Sequence, residues 1–251
     1  MELPLQAIRV FHGSTTYVRE GWGSYHSRST VMGGNAVLLA AAELKAQILS
    51  AGASLLQCSA GDVRYEAGRV IAQHGGSAGL TELASAGITF EATFHNSKHT
   101  YTYGSHVAHV AVDAETGHIE IVDYVAMEDA GRIINPLTLH GQAIGSIVQG
   151  LGGALLEEFT YSDGGDPLAV TFADYLMPTA KEMPRVETML SEDAPSPLNP
   201  SGFKGAGEGG ITPVGAAIAS AIDDALQQQG AITQLPITPQ RLMALMKKIR
   251  R

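Results

Sequence analysis

Charged residues and thiols are scarce in this chain of 251 residues. Only 16 % of the residues are charged, Lys and Arg form no cluster, and the net charge is -9. This composition disfavours non-specific binding to nucleic acid or to an anionic membrane. The single cysteine, Cys58, cannot form an internal disulfide or supply the four thiolates that an iron–sulfur cluster usually needs. We therefore predict neither a nucleic-acid nor a membrane partner, and we expect any such cluster on another chain.

Long apolar runs are also absent from the sequence. No stretch reaches about 18 consecutive apolar residues, and the start, MELPLQAIRVFHG, lacks the basic and apolar regions of a signal peptide. These features predict a cytoplasmic protein. Hydrophobic residues make up 45 % of the chain, which is long enough to bury a substantial core. Without repeats or a low-complexity linker, the simplest organisation is one α+β domain over residues 1–251, a mixed sheet with packed helices.

Hydrophobic periodicity predicts the order of the elements. Strands are expected at Ala7–Phe11, on both sides of a hairpin turn at Glu115–Gly117, after the turn YSDGGDPLAV, and near Val186. Helices are expected at about residues 35–50 with Gly52 as the stop signal, after Asn135-Pro136, over residues 211–226, and near residues 239–248.

Residues 203–210, FKGAGEGG, place one carboxylate, Glu208, among glycines just before a helix. They close a segment of about twenty residues without predicted structure, a length that indicates function in a compact domain. The lysine precedes the glycines, unlike in a phosphate-binding P-loop, and no strand precedes the G-x-G-x-x-G spacing. From these residues alone, Glu208 is either a solvated charge in the first helical turn or a reactive group.

The nine histidines suggest a metal site, but their spacing disfavours one. His106 and His109 lie at an odd separation in a predicted strand and should point to opposite faces. No H-E-x-x-H arrangement and no cysteine pair is present, so we predict no metal bound directly by side chains. The hydroxyls of residues 24–30, GSYHSRST with Arg28 among them, suit phosphate contacts, and an exposed loop is the alternative.

Several motifs together resemble a known family. These are GWGSYHSRST with GGNAV, then TGHIEIVDYVAMEDAGRIINPLTLHGQAIGSIVQGLGGALLEE, DYLMPTA and GFKGAGEGGITPVGAAIASAIDDAL. In this order they resemble the C-terminal part of the molybdenum-binding large subunit of the xanthine dehydrogenase, aldehyde oxidase and carbon monoxide dehydrogenase family, from about Leu3 to Leu242. The resemblance implies the fold of the second molybdopterin-binding domain of molybdenum hydroxylases.

The resemblance also implies roles for individual residues. Glu208 matches the general base, which takes a proton from the water-derived oxygen that is transferred to the substrate. The residues that match cofactor contacts are Ser27, Arg28, Ser29, Thr30, Gln142, Lys204, Gly205, Ala206 and Gly207. Alternatively, Arg28 pairs with a carboxylate of the fold and Gln142 is an ordinary helix residue. Asp129, Asn135 and Pro136 are assigned to structure.

The family's upstream pocket segments have no counterpart in this sequence. We therefore expect an N-terminally incomplete molybdopterin-binding domain that is inactive alone and needs the other molybdopterin-binding half. The resemblance implies iron–sulfur and flavin (FAD) subunits as further partners, and molybdopterin with molybdenum, as the cytosine dinucleotide, as cofactor. The implied reaction is oxidation of an aldehyde or hydroxylation of an N-heterocycle. The alternatives are a non-catalytic cofactor-binding or structural half, and an unrelated nucleotide-binding module.

Overall fold

The computed structural model describes residues 3–84 and 87–249. Contacts between residues divide the chain into two compact units, Met1–Ser97 and Lys98–Arg251. The grouping of both units in one functional domain stays a prediction.

The first unit begins without the predicted strand. A single 3-10 turn covers Leu5–Ala7, and residues 8–11 are exposed coil. A strand is stable only when its backbone pairs with a neighbour, and no strand among the described residues of this unit pairs with this segment. The strand prediction at Ala7–Phe11 is therefore wrong. Its apolar residues remain exposed, including Val10 and Phe11.

Helix α1 covers Asn35–Leu55 and directly follows a π-helical turn at Ser29–Gly34. The predicted helix is confirmed, but Gly52 is not its end. A Cβ atom on Gly52 would lie 2.5 Å from Cγ1 of Val70, which is fully buried. The glycine is needed for close packing of α1 on the sheet and not as a stop signal.

A small antiparallel sheet, missed by the sequence analysis, packs against α1. Its strands are β1 (Val63–Glu66), β2 (Arg69–Ala72) and β3 (Ser77–Gly79), and the short helix α2 (Leu80–Ala84) follows. The core of this unit contains Ile48, Tyr65, Val70, Ala78 and Leu83.

One helical segment, Tyr25–Leu55, is long and apolar enough to cross a membrane. Only a small share of its most apolar part is buried. Core helices of soluble proteins can be equally long and apolar, so one such segment is weak evidence for a membrane span. The absence of a membrane partner stays a prediction.

The second unit contains a mixed three-stranded sheet. Strands β4 (Tyr103–Val112) and β5 (Ile119–Asp129) form the predicted hairpin, and β6 (Val186–Ser191) pairs in parallel with β5. The hairpin turn is fixed by Asp113, whose Oδ1 accepts hydrogen bonds from the backbone N–H of Glu115 and Thr116. Along β4, His106 faces inward and His109 outward, as predicted.

Three helices complete this unit: α3 (Pro136–Leu155), α4 (Val214–Ala225) and α5 (Pro239–Ile249). Asn135 caps α3 by accepting from the N–H groups of Leu137 and Thr138. The core lies between sheet and helices and includes Tyr124, Ile147, Leu151, Ile218, Ile222 and Leu242. The predicted strand after YSDGGDPLAV is wrong, because residues 168–185 contain no strand, and within the turn itself Tyr161 and Pro167 form only an isolated bridge. The mixed sheet with packed helices confirms the α+β fold class.

Candidate functional site

The segment before the glycine loop is rigidly held. Asn199 is buried, its Nδ2 donates to the carbonyl of Phe203 at 2.9 Å, and its Oδ1 accepts from the Phe203 N–H at 3.0 Å. Phe203 also forms a bridge with Gly131, just beyond β5. The loop therefore starts from a fixed position at the end of the sheet.

Lys204 is held inside the fold. Its Nζ lies 2.8 Å from Oδ1 of Asp129 and 4.7 Å from the ring centre of Tyr103, and its side chain is 4 % exposed. Burial alone would raise the pKa of the Asp129 carboxyl, but hydrogen bonds from Lys204 and from the backbone of Gly131 and Ala194 lower this pKa. The charge of Lys204 is thus balanced by Asp129, and its contact with a cofactor stays a prediction.

Residues Gly205, Ala206 and Gly207 present backbone to their surroundings. The Thr102 hydroxyl donates to the Gly205 carbonyl and fixes the loop to the start of β4. Their three N–H groups donate to no acceptor among the described residues of the second unit. Consecutive N–H donors without side-chain bulk can bind phosphate or carbonyl oxygens of a ligand. This arrangement fits a polar, anionic cofactor.

Glu208 lies at the exposed point of the loop. Its carbonyl accepts from the Thr212 hydroxyl at 3.1 Å, which ties it to the turn that leads into α4. The sequence left open whether Glu208 belongs to the first turn of a helix. Because α4 begins at Val214, Glu208 precedes the helix by six positions and is not a first-turn charge.

The two glycines after Glu208 are required by close contacts. A Cβ atom on Gly210 would lie 2.1 Å from Oγ of Ser146 and 2.8 Å from the carbonyl oxygen of Ala143, both on α3. A Cβ atom on Gly209 would lie 2.8 Å from Oε2 of Glu128. Glycine is therefore needed here for backbone to pack on α3 and on the end of β5.

Gln142 is exposed on α3, directly before Ala143. Since the Ala143 carbonyl contacts the Gly210 position, the structure brings Gln142 into the neighbourhood of the glycine loop. An ordinary helix residue would also be exposed here, so its role stays a prediction.

The other predicted cofactor contacts lie in the first unit. Ser27 and Arg28 are half-buried, and Ser29 and Thr30 are exposed at the start of the π-helical turn. His26 and Ser27 have positive φ angles of 57° and 52°, a strained conformation that often occurs at functional sites. Arg28 donates to the carbonyl of Gly23 and stacks on Tyr25.

Arg28 makes no ion pair with a carboxylate among the described residues of its unit. The alternative that it neutralises a carboxylate of this unit is therefore not supported. Its guanidinium, next to exposed hydroxyls, is suited to an anionic group.

A buried polar cluster of Glu128, His106 and Tyr124 was not predicted from the sequence. Glu128 is 2 % exposed, and His106 Nε2 lies 3.7 Å from its Oε1. His106 Nδ1 lies 2.8 Å from the Tyr124 hydroxyl. A signal was present in the sequence, because Glu128 continues the inward-facing alternation of Tyr124 and Ala126 along β5.

Among residues 3–84 and 87–249, no group of three or more His, Cys, Asp or Glu side chains could hold a metal ion. A cavity of about 560 Å³ in the second unit is lined by residues such as Ile121, Leu155 and Met183 and by none of the predicted site residues. The glycine loop is therefore not part of that cavity.

Comparison with known proteins supports the family that the sequence motifs resemble. Residues 1–184 match the molybdopterin cofactor-binding domain family. The chain is 38 % identical to the 6-hydroxypseudooxynicotine dehydrogenase complex subunit gamma of Paenarthrobacter nicotinovorans, over 97 % of this chain and 32 % of that protein.

Two solved structures are similar across almost the whole chain. Quinoline 2-oxidoreductase from Pseudomonas putida 86 has a TM-score of 0.84 and 32 % identity, and it matches 98 % of this chain and 33 % of its own. Carbon monoxide dehydrogenase from Oligotropha carboxidovorans has a TM-score of 0.86 and 29 % identity, and the match covers 99 % of this chain and 33 % of the dehydrogenase chain.

The chain spans about a third of the length of these relatives. Residues 1–184, which match the family, include Ser27 to Thr30 and Gln142. The glycine loop lies outside this range, in the part of the chain that is covered by the similar proteins and solved structures. The fit of the loop amides to an anionic cofactor agrees with this match. The chain therefore belongs to the molybdopterin cofactor-binding domain family and corresponds to part of a molybdenum-binding subunit of the xanthine dehydrogenase and carbon monoxide dehydrogenase enzymes.

Proposed function

We propose that this chain is the part of a molybdenum hydroxylase that holds molybdopterin and supplies the general base, Glu208. The observation that carries the proposal is the position of Glu208, exposed on a loop whose neighbours on both sides are fixed by buried contacts. A general base needs a carboxylate that is accessible to the reacting group and held in one position. The fixed loop and the exposed side chain meet both needs.

The residues predicted to contact the cofactor carry groups that suit a polar, anionic ligand. Gly205, Ala206 and Gly207 would offer backbone N–H groups, and Gln142 a side-chain amide. Ser27, Ser29 and Thr30 would offer hydroxyls, and Arg28 and Lys204 positive charge, of which that of Lys204 is shared with Asp129. When bound, the molybdenum cofactor supplies a water-derived oxygen and accepts two electrons from the substrate. Glu208 would accept a proton from the water-derived oxygen, while the hydrogen of the substrate would leave with the two electrons.

The substrate is proposed to be an aldehyde or an N-heterocycle. The name of quinoline 2-oxidoreductase, a similar structure over 98 % of this chain, favours an N-heterocycle. Electrons would leave through iron–sulfur and flavin subunits in a cytoplasmic complex that also contains the other molybdopterin-binding half. The cofactor would be the cytosine dinucleotide form. The relative from Paenarthrobacter nicotinovorans is named as a subunit of a dehydrogenase complex, and this supports the proposed multi-subunit organisation.

The test compares Glu208→Gln with wild type in the complex purified from the native source. Molybdenum is measured by elemental analysis, and turnover is measured with quinoline and benzaldehyde. We expect unchanged molybdenum and a loss of turnover of about 100-fold or more, since general-base catalysis contributes about 10²–10⁴-fold. Glu120→Gln is the control, because Glu120 is an exposed carboxylate on β5.

Full turnover by Glu208→Gln would overturn the assignment of the base. A wild-type complex that holds molybdenum but oxidises neither substrate class would instead support the non-catalytic cofactor-binding half.

A further inference from the structure

Two consecutive carboxylates at the end of β5 hold opposite ends of the glycine loop. Successive side chains of a strand point to opposite faces. Glu128 accordingly points inward, against Gly209, and Asp129 points the other way, to Lys204. The two contacts lie on either side of Glu208 and its small neighbours.

Asp129 connects three segments of the second unit. Its Oδ1 accepts from Lys204 Nζ and from the N–H of Gly131, both within 2.9 Å, and its Oδ2 accepts from the N–H of Ala194 at 2.8 Å. All of these bonds are charge-assisted, which makes them stronger than neutral ones. The carboxylate thus fixes the first residue of the loop relative to the strand end.

Glu128 contacts the other end of the loop without a hydrogen bond of its own. Its side chain is 2 % exposed, and neither Oε1 nor Oε2 has a hydrogen-bond partner among the described residues. Burying a carboxylate in this way is costly, and an apolar side chain would fill the same space at a lower cost. A carboxylate kept under these conditions, directly beneath the residue that follows Glu208, indicates a role in the site.

His106 lies next to Glu128, and Tyr124 contacts the other ring nitrogen of His106. Burial, together with the negative charge of Glu128, raises the pKa of the Tyr124 phenol, so this phenol keeps its proton and can donate to His106 Nδ1. With Nδ1 as the acceptor, the imidazole proton lies on Nε2. That nitrogen faces Oε1 of Glu128 at 3.7 Å.

We propose that Glu128 and Asp129 form a carboxylate clamp that fixes both ends of the loop 204–209 and thereby sets the position of Glu208. In this clamp His106 and Tyr124 orient Glu128. Both carboxylates are positioning residues, because they act on the reaction only through the loop. The inference rests on the proposed function of Glu208, but the rigidity of the loop can be measured independently.

The first experiment uses the purified complex with Glu128→Ala, Glu128→Gln or Asp129→Asn, and with Glu120→Gln and Asp123→Asn as controls. Hydrogen–deuterium exchange of peptides that cover residues 203–212 reports loop rigidity, and steady-state kinetics report kcat and KM. We expect faster exchange and a kcat lowered by about 10- to 100-fold in Glu128→Ala and Asp129→Asn, since small misplacements cost about this much. KM and molybdenum content should stay close to those of wild type.

Glu128→Gln separates charge from shape. Glutamine keeps the side-chain volume and places an amide oxygen where Oε1 faces His106 Nε2, so we expect it to retain most of the loop protection that Glu128→Ala loses. Equal loop exchange in Glu128→Ala, Asp129→Asn and the two controls would overturn the clamp. If Glu208→Gln keeps full turnover while clamp variants still loosen the loop, the proposed function fails and the clamp stands.

A second experiment guards against variants that fail to fold. Gly209→Ala places a methyl group 2.8 Å from Glu128 Oε2 and 3.5 Å from Cγ2 of Thr102. Combining it with Glu128→Asp, which withdraws the carboxylate, should restore kcat and loop exchange toward wild type. Rescue beyond additivity is expected only for residues in direct contact. Strictly additive losses would contradict the proposed contact.

Discussion

Nζ of Lys204 lies 2.8 Å from Oδ1 of Asp129, and the two side chains are only 4 % and 15 % exposed. The lysine opens the glycine loop, and the aspartate ends β5. This buried ion pair links the loop that carries Glu208 to the central sheet of its unit, and it explains why a lysine precedes the glycines.

Removing the acidic partner should strongly destabilise the second unit. Asp129→Ala leaves the buried Lys204 charge without a carboxylate, a change that typically costs about 3–5 kcal/mol. Urea unfolding of the full chain, followed by far-UV circular dichroism, measures the free energy of unfolding. Asp123→Ala is the control, because Asp123 is 66 % exposed beside His109, and exposed pairs contribute about 0–1 kcal/mol. A similar decrease in the free energy of unfolding in both variants would show that the buried ion pair stabilises the chain no more than an exposed one.

The carboxylate of Asp129 should also make the free energy of unfolding depend on pH. The pKa of Asp129 in the folded chain is lowered below its ordinary value of 3.8, despite burial that opposes this, by the hydrogen bonds from Lys204 and the backbone. Its contribution is therefore fully present above pH 3.8 and is lost as the pH falls through the lower folded value. The stability difference between wild type and Asp129→Ala, measured from pH 7 down to pH 2, should narrow below pH 3.8. A difference that stays constant to pH 2 would exclude this linkage.

A methyl group at Gly210 should displace the loop. It would lie 2.8 Å from the Ala143 carbonyl oxygen and closer still to Ser146 Oγ, so backbone must move. Overpacking of this kind costs about 1–3 kcal/mol. Gly153→Ala on the same helix meets nothing within 4 Å and should stabilise by about 0.5–1 kcal/mol. Thermal unfolding of both variants checks the opposite signs, and a stabilised Gly210→Ala would be incompatible with close packing on α3.

Loss of the Arg28 charge should weaken cofactor binding. Arg28→Gln removes a guanidinium that makes no ion pair among the described residues of its unit. A hydrogen bond to a charged group is worth about 1.5–3 kcal/mol, or about 10- to 150-fold in affinity. Molybdenum retained by the complex after dialysis is the measurement. Arg64→Gln is the control, because Arg64 is 61 % exposed and pairs with Glu66. Equal retention by both variants would remove Arg28 from the cofactor site.

Elements with strong local patterns were predictable. The hairpin of β4 and β5 follows from alternation around the turn Glu115-Thr116-Gly117, and α3 follows from the Asn135-Pro136 start signal. The strand at Ala7–Phe11 and the stop at Gly52 failed for a shared reason. A strand needs a pairing partner, and a glycine in a helix can serve close packing, and neither condition is visible in a local window.

The amino-acid sequence by itself determined the family, through the order of its motifs, and it singled out Glu208 within its glycine loop. Only the tertiary structure decided what holds that loop. Asp129 meets Lys204 and Glu128 meets Gly209 across 75 and 81 residues of chain, because the end of β5 lies beside the loop. Local periodicity reports which face a side chain takes, but contacts between distant segments arise only when the core brings those segments together.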